Sequence, residues 1–492
     1  MSEPTPYADV HETHSGVVLL IGSTAYKLKK AVDLGFLDFR DVETRRRVCR
    51  RELELNRRIA PDVYVDVAEL PSAEPGVDGG TEPAVVMRRM PEQRRLTALV
   101  ARGEASRDDL HRIARVVAAF HKRAERGDHI AVEGRRDQLR ERWENNLRET
   151  ERFRGGDLDA GRLDTRAYDE VARLARRYLA GREALFDARA DGGRVVDGHG
   201  DLLAGDIFLL DDGPRILDCL EFDDRLRYLD VLDDIACLAM DLERLGAREE
   251  SAELVAAYLG ESGEVPPGSL VHHYIAYRAF MRAKVAAVRR EQAPGDRADG
   301  EPDALCRLAL EHLRRAAVRL VVVGGAPGTG KSTVAGGLAD RLGMVVLSSD
   351  RVRKELAGVD PDDHTSAAAF GEGIYAPEWT RRTYAELLDR AAALLARGES
   401  VVLDASWSDP EDRRHAAALA ETAYTDLTAL RCVLDPGLAA DRIRRRQAVS
   451  DADEQIASLM RDREQPWPGA VELDTAGALD DTVDRAVVAV TG

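Results

Sequence analysis

The sequence is poor in aromatic residues and has no long apolar run. Aromatic residues make up 5% of the 492 residues, although 44% are hydrophobic. No apolar run approaches the roughly 18 residues needed to cross a bilayer. The opening residues, MSEPTPYADVHETH, contain neither a basic nor an apolar stretch, so they do not predict a secretory signal. We therefore expect a cytoplasmic protein with no membrane partner.

Cysteine is also scarce, and its spacing excludes two common uses. The five cysteines form no C-x-x-C pair and no Cys/His metal spacing. In a reducing compartment such residues are expected to be small buried side chains rather than disulfides. They are Cys49, Cys219, Cys237, Cys306 and Cys432.

Positive charge is in deficit, and lysine contributes little of it. The net charge is -18, and only seven lysines accompany a large number of arginines. An excess of negative charge does not favour a nucleic-acid partner, since phosphate backbones are bound by surplus Lys and Arg. Small anionic ligands remain compatible because they need only local positive charge. Three lysines lie within residues 27–30, and Lys331 ends a glycine-rich loop.

The order of predicted elements indicates two domains, as expected for a chain too long for one core. Before residue 318 the patterns predict strands at 17–30, 84–90, 207–210 and 215–217, helices at 42–59, within 107–188, within 231–290 and at 304–317, and a polar loop at 291–303. From Leu320 onward strands and helices alternate, which is typical of a doubly wound parallel sheet. We place the domains at residues 1–317 and 318–492.

The strongest motif follows the first strand of the second domain and fits G-x-x-x-x-G-K-[ST]. Glycines allow backbone N–H groups to surround phosphate oxygens, and the helix that follows presents its positive end to them. Lys331 would neutralise charge between the outer phosphates, and Ser332 would hold magnesium. The loop residues are Gly325, Ala326, Pro327, Gly328, Thr329, Gly330, Lys331 and Ser332.

Two further carboxylates are predicted at the carboxyl ends of strands, where ligands bind in such sheets. Asp350 would accept the proton of the hydroxyl being phosphorylated, and Arg353 would bind the acceptor one helical turn later. An ordinary helix N-cap is the alternative for Asp350. Asp404 ends the strand at 401–404 and suits a residue that orients magnesium-bound water. Residues 441–446 predict either a lid helix with arginines or a solvated basic face.

Residues 320–460 resemble the small P-loop kinases related to gluconate kinase, zeta-toxin-type kinases and the kinase domain of polynucleotide kinases. The shared features are GAPGTGKST, SSDRVRKEL, VVLDASW with downstream Arg413, and RIRRR at 442–446. The resemblance implies that Lys331, Ser332 and Thr333 bind nucleotide and that Asp350 and Arg353 handle the acceptor. It also implies a lid formed by Arg442 and Arg446.

A second group of motif residues lies in the first domain. Asp201, in His199-Gly200-Asp201-Leu202, would orient or deprotonate an acceptor hydroxyl, while Asp206 and Asp218 would hold magnesium against ATP. Lys27 has the spacing of the strand lysine that reaches the nucleotide phosphates, and Glu52 on the next helix would pair with it. Lys29 lies on the same strand face as Lys27, and we prefer Lys27.

From about residue 12 to 290 the chain resembles the aminoglycoside and choline phosphotransferases, which share the protein-kinase-like fold. The shared segments are H-G-D-x-x-x-x-[ND] at 199–206, ILDCLEF at 216–222 and D-V-x-x-D-I-A at 230–236. Two features depart from that group. Asp206 replaces the metal-binding Asn, and no G-x-G-x-x-G loop lies near residues 16–25. With the P-loop half, the architecture resembles the fused proteins labelled bifunctional aminoglycoside phosphotransferase/ATP-binding protein.

The predicted fold is thus an α+β protein-kinase-like domain with a helical subdomain, followed by an α/β P-loop domain with a parallel sheet. The predicted function is transfer of phosphate from ATP (or GTP), with Mg²⁺, to a hydroxyl of a small metabolite such as a sugar, sugar acid or aminoglycoside-like compound. One alternative is a regulatory protein with a pseudokinase-like sensing half and a P-loop ATPase switch. Another, a kinase of nucleic-acid ends, is disfavoured by the acidic charge. The acceptor, the oligomeric state and any coupling between the domains stay open.

Overall fold

The computed structural model describes residues 8–12, 16–32, 38–71, 80–158, 161–292, 300–360, 373–445 and 465–492. The chain forms two compact units. The first comprises Met1–Asp169, Phe186–Pro266 and His273–His312, and the second comprises Glu170–Leu185, Pro267–His272 and Leu313–Gly492. The sequence-based boundary between residues 317 and 318 stays a prediction.

The elements before residue 318 begin with a group of strands and continue mostly as helices. In chain order they are β1 (Ala8–Glu12), β2 (Gly16–Ile21), β3 (Thr24–Lys29), α1 (Val42–Asn56), β4 (Tyr64–Pro71), β5 (Thr81–Arg88), α2 (Leu96–Ala101), α3 (Arg107–Arg123), α4 (Asp128–Ala131), α5 (Arg136–Thr150), α6 (Thr165–Ala180), α7 (Glu183–Asp191), β6 (Val195–Asp197), β7 (Ile207–Leu210), β8 (Gly213–Ile216), β9 (Tyr228–Asp230), α8 (Val231–Arg244), α9 (Arg248–Ser262), α10 (Gly268–Gln292) and α11 (Glu301–Arg315).

After residue 318 strands and helices alternate. In chain order they are β10 (Arg319–Gly324), α12 (Lys331–Leu342), β11 (Val345–Ser348), α13 (Ser349–Leu356), α14 (Pro377–Ala396), β12 (Val401–Asp404), α15 (Pro410–Thr422), β13 (Asp426–Val433), α16 (Pro436–Arg445), β14 (Val471–Asp474) and α17 (Leu479–Thr491).

The first unit begins with a five-stranded antiparallel sheet in the order β1-β2-β3-β5-β4. The strands predicted within residues 17–30 are present as β2 and β3, which form a hairpin with Gly22 in its turn at φ 59°. Helix α1 starts where Asp41 accepts a hydrogen bond from the Thr44 N–H at 2.8 Å. Buried Cys49 of α1 packs into the sheet core beside Val85, so this helix is fixed against the strand face that carries the lysines.

The helical part of the first unit contains two small antiparallel pairs, β6 with β9 and β7 with β8. The second pair corresponds to the strands predicted at 207–210 and 215–217. Asp230 caps α8 by accepting from the Leu232 N–H at 2.9 Å. The predicted polar loop at 291–303 is wrong at its ends, because α10 continues to Gln292 and α11 already begins at Glu301.

The second unit contains a five-stranded parallel sheet in the order β11-β12-β10-β13-β14. Its core is formed by apolar side chains of β10, such as Val321 and Val323, packed with Leu338 of α12. Together with the first unit, this sheet confirms the predicted fold class of a kinase-like α+β domain followed by a P-loop α/β domain.

The scarce residue types behave as the sequence predicts. All five cysteines are buried free thiols, and burial raises the pKa of the Cys49 and Cys432 thiols to about 12. Within the described ranges, no helix is both long and apolar enough to traverse a bilayer.

Candidate functional site

The glycine-rich loop joins β10 to α12 and adopts backbone angles that only glycine tolerates well. Gly325, Gly328 and Gly330 have φ of 133°, 81° and 86°. A Cβ on Gly325 would lie 2.4 Å from the Cys432 carbonyl oxygen, and one on Gly328 would lie 2.7 Å from the Ala439 carbonyl oxygen. Side chains are therefore excluded at Gly325 and Gly328 on both strain and contact grounds.

Hydrogen bonds converge on one carbonyl inside this loop. The Ala326 oxygen accepts from Thr329 Oγ1 at 2.7 Å and from Lys331 Nζ at 3.2 Å. The lysine side chain therefore lies over the loop itself, and the motif is one in which this lysine reaches the outer phosphates of a bound nucleotide. Ser332 and Thr333 begin α12 and are exposed.

Asp404 lies beside the loop because the parallel strands are in register. It pairs with Val323 of β10 on one side and with Ser348 of β11 on the other. Its side chain is buried. The Asp404 carboxylate and the Ser332 hydroxyl are hard oxygen donors, the type that Mg²⁺ prefers.

Helix α13 places Asp350 and Arg353 after β11. The N-cap alternative for Asp350 is wrong, because Ser348 is the N-cap residue and Asp350 lies in the first turn. The Asp350 carboxylate lies 3.7 Å from Nζ of Lys354, which is fully buried. The Arg353 guanidinium stacks 4.8 Å from the centre of the Tyr375 ring. Lys354 is a partner that sequence reasoning missed.

Arg442 of α16 lies against the end of the phosphate loop. Its guanidinium donates to the Thr475 carbonyl oxygen at 2.7 Å, and Thr475 Oγ1 donates to the Thr329 carbonyl oxygen at 2.8 Å. A Cβ on Gly330 would be 3.4 Å from Arg442 Nη1. Arg444 instead is exposed and pairs with Asp441. Arg446 lies outside the described residues.

Arg413 belongs to a segment that resembles P-loop kinases, and its side chain makes contacts that fix the local fold. Its guanidinium donates to the Trp407 carbonyl oxygen at 2.6 Å and to the Pro466 carbonyl oxygen at 2.8 Å. It also stacks on the Trp467 ring at 4.6 Å. Trp467 covers Gly324, where a Cβ would lie 2.4 Å from the ring. Arg413 therefore holds the segment that packs on the end of β10.

In the first unit, Glu52 of α1 binds two lysines of β3. Lys27 Nζ lies 2.8 Å from Glu52 Oε1, and Lys29 Nζ lies 2.7 Å from Glu52 Oε2. Glu52 is fully buried. Burial opposes its ionisation, but Lys27 and Lys29 outweigh burial and hold the pKa of Glu52 below its usual value. The predicted Lys27–Glu52 contact is present, and Lys29 shares the same carboxylate.

The two lysines differ in their second partners. Lys27 also pairs with Asp218, and Lys29 pairs with Glu221 at 2.5 Å. Burial would lower the pKa of Lys27, but Asp218 and Glu52 raise it well above its usual value. The Lys27 side chain is 19% exposed and that of Lys29 only 4%. Of the two side chains, that of Lys27 is therefore the more accessible.

Asp218 is held in an unusual backbone conformation. Its φ is 65°, in the left-handed region that costs a non-glycine residue about 1 kcal/mol or more. Its N–H donates to the Tyr64 hydroxyl oxygen at 3.1 Å, and the next N–H, of Cys219, donates to Asn56 Oδ1 at 2.9 Å. Side chains from α1 and β4 thus fix the turn that presents Asp218.

Asp206 and Asp201 lie near Asp218 in the same acidic region. Burial, then Asp218 and Asp201, raise the pKa of Asp206 well above its usual value. Asp201 Oδ1 lies 3.5 Å from Arg282 Nη1, and its side chain is 34% exposed. In the part of the chain that the structure describes, no group of three or more His, Cys, Asp or Glu side chains could hold a metal ion by itself. Asp206 and Asp218 provide carboxylate oxygens that suit Mg²⁺ if phosphates complete the coordination.

Asp234 of α8 anchors the loop that carries Asp201. Its carboxylate accepts from the His199 N–H at 2.6 Å and from the Gly200 N–H at 2.9 Å. It also contacts His121 Nε2 at 3.1 Å. Burial opposes ionisation of Asp234, but His121 and His199 lower its pKa far below its usual value. The sequence singled out the segment containing Asp234 without showing this role.

Comparisons with known proteins find one matching family model, several similar solved structures and relatives that match almost the whole chain. Residues 320–466 match a family model described as an AAA domain, which includes the phosphate loop. Similar solved structures include a sugar kinase from Janibacter sp. HTCC2649 (18% identity, 35% of this chain and 94% of that chain, TM-score 0.27). Another is a choline/ethanolamine kinase family protein from Mesorhizobium loti (16% identity, 63% of this chain and 93% of that chain, TM-score 0.38).

Two curated relatives are similar along almost the whole chain. They are the uncharacterized proteins Rv2004c from Mycobacterium tuberculosis and Mb2027c from Mycobacterium bovis. Each is 42% identical over 486 residues, which cover 98% of this chain and 95% of the relative. Because the identity extends through both units, this chain belongs to the same family as these mycobacterial proteins.

Proposed function

We propose that this protein is an ATP-dependent phosphotransferase that phosphorylates a hydroxyl group of a small metabolite, such as a sugar, a sugar acid or an aminoglycoside-like compound. The observation that carries the proposal is the loop at 325–332, in which three glycines have positive φ and the lysine that begins the next helix donates to a carbonyl oxygen of the loop. Backbone N–H groups and a lysine in this arrangement bind the phosphates of a nucleoside triphosphate.

In the second half, Lys331, Ser332 and Thr333 bind ATP or GTP. Asp350 accepts the proton of the acceptor hydroxyl, and Arg353 contacts the acceptor. Arg442, already close to Gly330, stabilises charge on the phosphoryl group during transfer. Ser332 and Asp404 hold Mg²⁺, which when bound neutralises phosphate charge.

In the first half, Lys27 binds the phosphates of a second nucleotide, and Glu52 orients it. The contact between Lys27 and Asp218 is then replaced, because the lysine turns to the phosphates and Asp218 becomes a metal ligand with Asp206. Asp201 orients or deprotonates the acceptor hydroxyl. Each proposed domain, 1–317 and 318–492, thus has its own nucleotide site.

A regulatory role is the second candidate, and the Lys27–Asp218 pair supports it. A lysine held by two carboxylates and an Asp at the usual Asn position are compatible with a first half that senses a ligand without transferring phosphate. The second half would then be an ATPase switch.

Nucleotide stoichiometry and turnover distinguish these functions. We expect the folded chain to bind about two equivalents of a non-hydrolysable ATP analogue with Mg²⁺, and the Lys331→Ala variant to bind about one. An acceptor found in a panel of sugars, sugar acids and aminoglycosides should raise the rate of ADP release. Some of this stimulated release should remain in Lys331→Ala, and adding Asp201→Ala to that variant should remove it. Turnover unaffected by Asp201→Ala favours the regulatory role of the first half. Absence of any ATP or GTP binding by folded protein refutes the proposal.

A further inference from the structure

Helix α10 carries arginines on the face that meets the Asp201 loop. Arg278, Arg282 and Arg289 are spaced by four and seven residues, so they lie on one side of the helix. Arg278 is buried, binds both oxygens of Asp233 at 2.6 and 3.0 Å, and donates to the Gly200 carbonyl oxygen at 2.7 Å. This side of α10 is therefore fixed against the residue that precedes Asp201.

Arg282 is the next arginine on this side, and it contacts Asp201 only loosely. The distance from Arg282 Nη1 to Asp201 Oδ1 is 3.5 Å, longer than the 2.7–2.9 Å of a strong charged hydrogen bond. Arginines of this unit that are held by a carboxylate make such short bonds, as Arg189 does with Asp230 at 2.6 Å, whereas the Arg282 side chain is 18% exposed. The Arg282 guanidinium therefore keeps donors available for a ligand that reaches Asp201.

Arg289 adds a second positive charge beyond Arg282. Within the described ranges, no salt bridge joins Arg289 to a carboxylate. Arg289 is exposed, yet partial burial lowers its pKa and the neighbouring Arg282 lowers it further, while Asp201 and Glu301 oppose this. Arg244, which also acts on Arg289, is itself bound to Asp241 at 2.8 Å and to Glu301 at 3.3 Å. Helix α10 thus contributes two guanidinium groups, those of Arg282 and Arg289, to a region that also contains the carboxylates of Asp201 and Asp206.

We infer that the acceptor phosphorylated by the first half carries an anionic group, a carboxylate or a phosphate, which Arg282 and Arg289 bind beside Asp201. Planar guanidinium groups suit both anions because they donate two parallel hydrogen bonds. A polycationic aminoglycoside would instead bring like charges against both arginines. The inference rests on the proposed phosphotransfer by the first half. There the acceptor oxygen bonds to the γ-phosphorus, the bond from that phosphorus to the β–γ bridging oxygen breaks, ADP leaves, and the hydroxyl proton passes to Asp201.

Compounds with one sugar skeleton and different charge test the inference. The Lys331→Ala chain, in which the second nucleotide site is disabled, is assayed with glucose, glucosamine, glucuronate and glucose 6-phosphate. We expect kcat/KM for an anionic compound to exceed that for glucosamine at least tenfold. Arg289→Ala should raise KM for the anionic compound about 10–100-fold with a smaller change in kcat, as expected for a lost charged hydrogen bond. Arg289→Lys should restore part of this loss. Lys284→Ala, which changes a lysine bound to Asn146 and Glu149, is the control on the same helix.

Each contrary result has a separate meaning. A preference for glucose or glucosamine, or an equal effect of Arg289→Ala on all four compounds, overturns the anionic acceptor while leaving phosphotransfer intact. If none of the four is phosphorylated, their affinities are measured by titration calorimetry on the chain saturated with Mg²⁺ and an ATP analogue. The inference is overturned if glucuronate and glucose 6-phosphate bind no more tightly than glucosamine. Absence of nucleotide binding in Lys331→Ala removes the proposed function of the first half, and the inference with it.

Discussion

Glu52 divides its two carboxylate oxygens between Lys27, at 2.8 Å, and Lys29, at 2.7 Å. The carboxylate is fully buried, so it depends on both ammonium groups for compensation of its charge. Lys27 extends from this pair to Asp218, whereas Lys29 extends to Glu221. One glutamate thus supports two lysines with different surroundings.

The two lysines should therefore fail in different ways when substituted. We expect Lys27→Met, in the Lys331→Ala background, to weaken binding of an ATP analogue at least tenfold, because a charged bond to phosphate is worth about 1.5–3 kcal/mol. Both substitutions leave Glu52 with one ammonium partner, but Lys29→Met should lower the free energy of unfolding more, by about 3–5 kcal/mol, since Glu221 and Glu52 both lose a partner that is almost fully buried. Calorimetric titration and urea denaturation measure the two effects. Lost nucleotide binding in a stable Lys29→Met protein would assign the phosphate contact to Lys29.

Glu52→Gln should change stability in a pH-dependent manner. The folded pKa of Glu52 lies below its usual value, so its ionised form stabilises the fold above the unfolded pKa of about 4.3. That contribution is lost as pH falls through the folded pKa. We expect a deficit of about 3–5 kcal/mol for Glu52→Gln near pH 7, shrinking below about pH 4. Urea denaturation at several pH values measures it, with exposed Glu54→Gln as the control. A deficit that stays constant with pH would contradict the ionised state of Glu52.

Arg442 and Arg444 lie two positions apart on α16 and provide a matched pair. Arg442 contacts Thr475 beside the phosphate loop, whereas Arg444 is exposed and pairs with Asp441. We expect Arg442→Ala to reduce kcat of the second half at least 100-fold, as for arginines that stabilise a transferring phosphoryl group, and Arg444→Ala to change it less than threefold. The assay uses an Asp201→Ala background. Equal effects of both substitutions would contradict the lid role of Arg442.

Local motifs were the most predictable part of this molecule. The phosphate loop and the alternating elements around it depend on residues adjacent in sequence, so spacing was sufficient to predict them. The patterns missed β1, β4 and β14, which lie at sheet edges, and the two short strands β6 and β9, which pair only with each other. Edge strands carry polar residues, as in YVDVAELP and VELD, and so lack the apolar pattern of central strands.

The spacing of residues along the sequence did not predict contacts between distant parts of the chain. Alternation predicted that Lys27 and Lys29 share a face, but not that both oxygens of Glu52 are used. Similarly, Asp234 lies 34 residues from Gly200, and Arg282 lies 81 residues from Asp201. Such contacts depend on how α8 and α10 pack, which is decided by the tertiary core and not by local periodicity.

Asp234 offers a test of how far the Asp201 loop depends on its anchor. Its carboxylate accepts hydrogen bonds from the His199 and Gly200 N–H groups. An Asn side chain at this position would have only one accepting oxygen, and its amide N–H₂ group would face one of these donors. We expect Asp234→Asn to lower the free energy of unfolding by about 1–3 kcal/mol. It should also lower kcat of the first half at least tenfold with a smaller change in nucleotide affinity, because Asp201 loses its fixed position. Asp211→Asn, at an exposed turn, is the control. If Asp234→Asn lowers stability while kcat at a temperature where the protein stays folded is unchanged, Asp234 is a structural residue alone.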